Sequence, residues 1–246
     1  MAIRETIFFE GRRWPAVVVA HTPGSPNSWV IFTATGKARA WSTDRPLGFW
    51  RNFSAIEVPD PKVQGTVVNP DTEQPFELFV ARHGDPTGQL DRRAAASQPV
   101  ISNTFSWGPL VAALRQVAVA WDAPDDLGVS AITKDRDRLA AADKALGWLL
   151  PADPDGDHEI AREIKLQYTA QGITLVPQTL RAFMVISAAS ARERGIDMRR
   201  CAYCADWFEL HCDGATYCSP SCQASHQKQR AAVPQANSNT GQEGTK

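Results

Sequence analysis

The sequence predicts an α+β protein laid out in successive regions, and three observations carry that reading. Residues 1–100 hold short β-branched runs separated by turn-forming residues. After residue 100 the apolar side chains recur at helical spacing. All five cysteines, at 201, 204, 212, 218 and 222, crowd into 22 residues near the C-terminus. The expected layout is a strand-rich domain over 1–100, a helical region over 101–196, a small cysteine module over 197–230 and a disordered tail over 231–246.

The first region is read strand by strand. Ile3 to Phe9 is apolar and β-prone, and Gly11 to Arg13 suits a turn. Ala16 to Val19 and Trp29 to Thr33 are two more strand candidates, joined by loop chemistry from His21 to Ser28. Thr35-Gly36-Lys37 is expected to be a hairpin turn leading into Ala38 to Trp41. Phe76 to Ala81 reads as a further strand, closed by His83-Gly84-Asp85-Pro86. The stretch Asp91 to Gln98 has no period and is expected to link the two regions.

From there the pattern is helical. Pro109 suits the first turn of a helix carrying Leu110, Leu114, Val117 and Trp121 on one face. Thr133 to Leu150 repeats the pattern with Leu139, Ala142, Leu146, Leu149 and Leu150. Pro151 to Gly156 must break it. Asp157 is a suitable N-cap for a helix bearing Ile160, Ile164 and Tyr168. Pro177 is expected to open a last core helix with Leu180, Phe183, Met184 and Ala188 inward, closed at Gly195.

Composition narrows the function. Lys plus Arg total 26 against 27 for Asp plus Glu, a formal charge of −1, which argues against a protein that simply coats nucleic acid. No apolar run approaches the ~20 residues of a membrane span. The start lacks a secretory leader, and a cytoplasmic location is expected.

The cysteines carry the chemistry. Cys201 and Cys204 are separated by two residues, which lets a tight knuckle aim both sulfurs at one tetrahedral ion. Ser219 and Pro220 are helix-start residues, so Cys218 and Cys222 fall at a helix entrance, four apart on one side. Trp207 and Phe208 give apolar cover to a module too small to build its own core. A knuckle, a hairpin and a ligand-bearing helix start are the parts of a treble-clef-like zinc finger. Cys201, Cys204, Cys218 and Cys222 are therefore the expected ligands of one structural Zn2+, with Cys212 spare. His211 and His226 are expected outside the coordination shell. A redox dithiol at Cys201/Cys204, free thiols and disulfides are the alternatives, though the βαβ pattern around a redox motif is absent.

The stretch Val176 to Gln229 resembles the C-terminal region of a loose group of bacterial and phage-associated proteins. The likeness rests on Arg199-Arg200-Cys201, Trp207-Phe208 and Tyr217-Cys218-Ser219. It is similar also to bacterial CGNR-type zinc fingers, and that resemblance implies DNA binding in a transcription regulator. Here Cys222 is followed by Gln223-Ala224-Ser225 rather than Gly-Asn-Arg. Arg199, Arg200, Lys228 and Arg230 are the candidate phosphate contacts for DNA or RNA. From Arg192 to Arg230 six cations face five anions, so the module is near neutral once a four-thiolate zinc is added. The competing expectation is a protein-interaction module in which the finger is purely structural.

Nothing points to catalysis. There is no phosphate-binding loop, no His-Glu-x-x-His and no Gly-x-Ser-x-Gly. The acidic run Asp153, Asp155, Asp157, Glu159 lacks a calcium-loop pattern, and Asp122, Asp125 and Asp126 read as a polar turn. His21, His83 and His158 have no catalytic companions in sequence. The aromatic set Trp41, Phe49, Trp50 and Phe53, with Arg45 and Arg51, suits either a buried core or a stacking surface. No enzymatic activity is expected.

Overall fold

The computed structural model describes residues 4–14, 16–21, 29–35, 37–57, 70–88, 90, 100–103, 107–150, 159–169, 172–212 and 214–232. Of the expected tail 231–246, residues 231 and 232 instead complete the last helix, and the rest lies outside the described residues, as do the linker 91–98, the loop 22–28, the breaker 151–156, the Asp157 cap and His158. The chain is α+β, with a strand-rich N-terminal part and the cysteines gathered at the C-terminal end. No helix among the described residues is long and apolar enough to cross a membrane.

The strands are β1 (Arg4–Ile7), β2 (Phe9–Arg13), β3 (Ala16–His21), β4 (Trp29–Thr35), β5 (Arg39–Thr43), β6 (Val100–Asn103), β7 (Val129–Ser130), β8 (Ile164–Thr169), β9 (Gly172–Pro177), β10 (Met198–Arg200) and β11 (Trp207–Glu209). The helices are α1 (Trp50–Ser54), α2 (Pro70–His83), α3 (Trp107–Ala118), α4 (Arg136–Leu149), α5 (Glu159–Arg162), α6 (Leu180–Glu193) and α7 (Pro220–Ala232). The sheets are small, in the orders β3-β4-β6, β2-β5, β1-β9-β8 and β11-β10-β7. Two of them join distant parts of the chain. β1 runs parallel to β9, pairing Arg4 with Gly172, and β10 pairs with β7 as well as β11.

Several local expectations change. Phe76 to Ala81 is not a strand but the end of α2, where Phe76, Phe79 and Val80 bury one face at the i, i+3, i+4 spacing of a helix. Ile164 and Tyr168 are not helical. They lie on β8, which forms a hairpin with the β-branched strand β9, and only Ile160 sits in the short helix α5. Pro177 closes β9 rather than opening a helix; α6 starts at Leu180, where the Thr179 side chain accepts from the Ala182 N–H. Gly11 to Arg13 lies inside β2, because β2 pairs along its whole length with β5. Gly36 lies outside the described residues, and among those described the flanking strands do not pair with each other: β4 pairs with β3 and β6, and β5 with β2.

Other expectations hold. In α3, Leu110, Leu114 and Val117 are buried, with Trp121 buried just beyond its end. Asp135 caps α4 by accepting from the Asp137 and Arg138 N–H groups, and Ala142 and Leu149 face inward. Leu180, Phe183, Met184 and Ala188 line the inner face of α6, and Gly195 takes the left-handed conformation (φ +61°) after it. The aromatic segment is core: Trp50 and Phe53 are fully buried, Phe49 is buried, and Trp41 is half-buried beside Phe9 and Phe183. Burial of such rings is worth about 1.5–3 kcal/mol each. Arg115 secures the end of α1, donating to the Ser54 and Ile56 carbonyls at 3.0 Å each.

Candidate metal centre

The centre begins with a hairpin. β10 and β11 pair antiparallel, Met198 opposite Glu209 and Arg200 opposite Trp207, and the chain reverses through Cys201 to Asp206. The reversal is tight: the Cys201 N–H donates to the Asp206 carbonyl at 2.9 Å, and the Ala205 N–H to the Cys201 carbonyl at 3.0 Å. Ala205 adopts φ +61°, a left-handed conformation that an L-residue takes only when the surrounding turn compels it. The turn aims the N–H groups of Tyr203 and Cys204 at the Cys201 sulfur.

The second pair comes from the start of α7. The Ser219 hydroxyl accepts from the Cys222 N–H at 3.2 Å, an N-cap three residues before the capped amide. Pro220 occupies the first helical position, where its missing N–H costs nothing. Cys218 and Cys222 are thereby held on one side of the helix entrance. The Ala202 N–H, donating to the Thr216 carbonyl at 3.0 Å, ties the knuckle to the approach of α7.

The four sulfurs of Cys201, Cys204, Cys218 and Cys222 all lie within 4.8 Å of one another. Cys204 and Cys218 are 3.6 Å apart, and Cys218 and Cys222 3.4 Å. A regular tetrahedron of thiolates around an ion at 2.3 Å has edges of about 3.8 Å. The donor set therefore fits a four-coordinate metal ion. Cys201 is buried and the other three are half-buried.

Electrostatics favours a cation here. Burial works against the Cys201 thiolate, yet the N–H groups of Cys204, Cys218 and Tyr203 prevail and bring its pKa down to about 7. Cys204 is pushed up, first by its hydrogen bond with Cys218 and then by burial, and burial raises Cys222 too. Four crowded thiols resist joint ionisation unless a divalent cation compensates them.

The remaining candidate ligands sit elsewhere. Cys212 is exposed and outside the sulfur cluster. His211 Nε2 lies 3.2 Å from Glu209, and His226 Nδ1 lies 2.9 Å from the Tyr217 hydroxyl.

Residues far away in sequence lock this centre to the body. Arg82 donates to the Cys204 carbonyl at 3.1 Å, and Arg45 to the Cys218 carbonyl at 3.4 Å. Asp206 accepts from Asn52 and lies 3.5 Å from His83 Nε2 and 3.8 Å from Arg82. Burial opposes its ionisation, but the His83 hydrogen bond and the charges of His83 and Arg82 hold its pKa below the usual carboxylate range. Arg51 lies over the Trp207 ring. None of these partners shows in the sequence as part of the centre. They stand more than 100 residues upstream, and their spacing carries no motif.

The four candidate phosphate contacts do not form one cluster by local geometry. Arg199 and Arg200 are adjacent on β10 and so point to opposite faces. Arg199 donates to the Ala215 carbonyl at 2.9 Å, and Arg200 lies 5.1 Å from the Trp207 ring centroid. Lys228 and Arg230 are exposed on α7, about 160° apart around the helix. Arg230 instead shares a face with Gln223 and Gln227, both exposed.

No family model, curated protein or solved structure matches this chain.

Proposed function

We propose that Cys201, Cys204, Cys218 and Cys222 hold one Zn2+ as a structural ion, in a treble-clef-like finger that serves a nucleic-acid-binding regulator. The convergence of four sulfurs within 4.8 Å supports the site, and an all-thiolate donor set suits zinc. Zinc there would neutralise the thiolates and fasten the hairpin to α7. Such a shell is closed to substrate, so the role is architectural and binding, not catalytic.

The nucleic-acid reading rests on α7 and on the resemblance of the finger. From Pro220 to Ala232 the helix has no acidic residue; one exposed face presents Gln223, Gln227 and Arg230, and Lys228 is exposed on the other side. Amides and guanidinium groups are the side chains that read base edges and phosphates. In this reading Lys228 and Arg230 make the leading phosphate contacts, and Arg199 and Arg200 contribute from the hairpin.

A second reading, docking to a protein, is favoured by one observation. β8 is an outer strand of its sheet, and Leu166 and Tyr168 on it are 54% and 79% exposed. Fluorescence anisotropy of a labelled 30-base-pair duplex and of a labelled single-stranded RNA, each titrated with zinc-loaded protein across a salt series, separates the two. Affinity that falls steeply with salt supports nucleic-acid binding. No binding to either probe at low salt overturns it and leaves the protein-docking reading.

A further inference from the structure

Beside the metal centre lies a cavity of about 240 Å3, between the finger and the strand-rich part of the chain. Much of its wall is aromatic. Trp41 and Phe208 line it from opposite parts of the chain, and both are only half-buried, so ring surface faces open space.

Two carboxylates line the cavity, and both already have cationic neighbours. Asp206 faces His83 and Arg82, and Glu209 faces Arg194 at 3.1 Å and His211 at 3.2 Å. Arg13 and Arg45 line the cavity as well, and both are exposed. Among the described residues neither guanidinium has a carboxylate within 4.0 Å; that of Arg45 donates to the Cys218 carbonyl at 3.4 Å, and its charge also acts on Glu209. Two guanidinium groups at the wall of the cavity thus have no carboxylate at ion-pair distance, and an acid group is the partner they can pair with.

Glu209 adds a second demand. Its side chain is 4% exposed, and its Oε1 is buried with no hydrogen-bond partner. A buried carboxylate oxygen left unpaired is costly, and since no solvent-sized group reaches Oε1 in this structure, a ligand hydroxyl relieves it only once the Glu209 side chain turns toward the cavity.

We propose that this cavity binds a small aromatic acid bearing a hydroxyl group. The ring lies against Trp41 and Phe208, the acid group meets Arg13 and Arg45, and the hydroxyl donates to a Glu209 carboxylate that turns toward it. The volume is below the ~300 Å3 at which drug-sized pockets begin, which suits a single substituted ring. Arg13, Trp41 and Arg45 come from the strand-rich part, and Phe208 and Glu209 from the finger. A bound ligand would therefore brace one against the other, a means of regulation independent of what α7 contacts.

The test is isothermal titration calorimetry of the zinc-loaded full chain with 2-, 3- and 4-hydroxybenzoate, alongside benzoate, phenol and acetate. At least one hydroxybenzoate is expected to saturate with a Kd of about 0.1–1 mM. It should bind at least about threefold tighter than benzoate, and about tenfold weaker to the Arg13→Gln/Arg45→Gln protein. Arg45 also donates to the Cys218 carbonyl, so the Arg13→Gln single variant, which leaves that contact in place, is the one expected to keep the wild-type melting temperature while binding at least about threefold more weakly. Failure of all three hydroxybenzoates to saturate overturns the proposal. So does unchanged affinity in the double variant, or acetate binding as tightly as the aromatic acids.

Discussion

The guanidinium carbon of Arg51 lies 3.8 Å from the ring centroid of Trp207, joining helix α1 to the strand that leaves the cysteine knuckle. Arg51 is buried, and burial together with the charge of Arg200 lowers its pKa to about 10. A buried cation is tolerated here because an aromatic face takes the place of water.

Removing either partner should therefore loosen the cysteine module from the body. Trp207→Ala is expected to cost about 3–5 kcal/mol and Arg51→Ala about 1–3 kcal/mol in urea unfolding. The double variant should show a coupling of about 0.5–2 kcal/mol. Strict additivity would mean that the stacked pair contributes no interaction of its own.

Gly48 tests the same junction from the backbone side. A Cβ placed there would come 2.5 Å from the Trp207 carbonyl oxygen and 2.7 Å from Met198 Cε. Backbone cannot yield as a flexible side chain does. Gly48→Ala should cost about 1–3 kcal/mol, read as a lowered urea midpoint. An unchanged midpoint would show that the finger can back away at no cost.

Metal content discriminates among the cysteines. Native mass spectrometry of protein purified without added metal should find one zinc per chain. Cys201→Ser and Cys222→Ser should each lose it, with a large drop in melting temperature. Cys212→Ser should retain it, since Cys212 is exposed and apart from the cluster. Metal lost on changing Cys212 would sink the four-cysteine assignment.

Glu209 gives a pH dependence with a defined sign. Burial raises its pKa, and the charges of Arg194, His211 and Arg45 offset only part of that. The folded state thus holds this proton more tightly than the unfolded one. Its contribution is most favourable at acid pH and is lost as pH rises from about 4.5 through the folded pKa. With zinc kept saturating, the stability of Glu209→Gln relative to wild type should increase between about pH 5 and pH 7.5. A difference that is flat or falls over that range would contradict the buried carboxylate.

Salt dependence tests α7. Each phosphate contact contributes close to one unit to the slope of log K against log salt on duplex DNA. Lys228→Gln/Arg230→Gln should reduce that slope by about 2 and weaken binding evenly across sequences. A slope unchanged in the double variant would move the contact surface elsewhere.

The four-cysteine cluster was the most legible part of the chain because its determinants are local. The Cys201/Cys204 spacing, the Ser219 cap and Pro220 act within one turn of their own backbone, and the structure keeps each of them. Short apolar runs were not legible. Phe76 to Ala81 suits a strand or one turn of helix equally, and the burial of Phe76, Phe79 and Val80 together decides for the helix. Ile164 and Tyr168 are spaced by four, as a helix requires, yet Leu166 between them completes an alternation that β9 makes into a hairpin.

The sequence by itself determined the α+β class, the inward faces of α3 and α6, and the four cysteines that converge, since each depends on periodicity or on spacing over a few residues. Only the tertiary structure decided what the cysteine module rests on. Arg51, Asn52, Arg82 and His83 reach it from α1 and α2, and β7 extends its hairpin from the helical middle. Those contacts span roughly 70 to 155 residues of chain. No local rule encodes such a pairing, because packing of the intervening core is what brings the partners within reach.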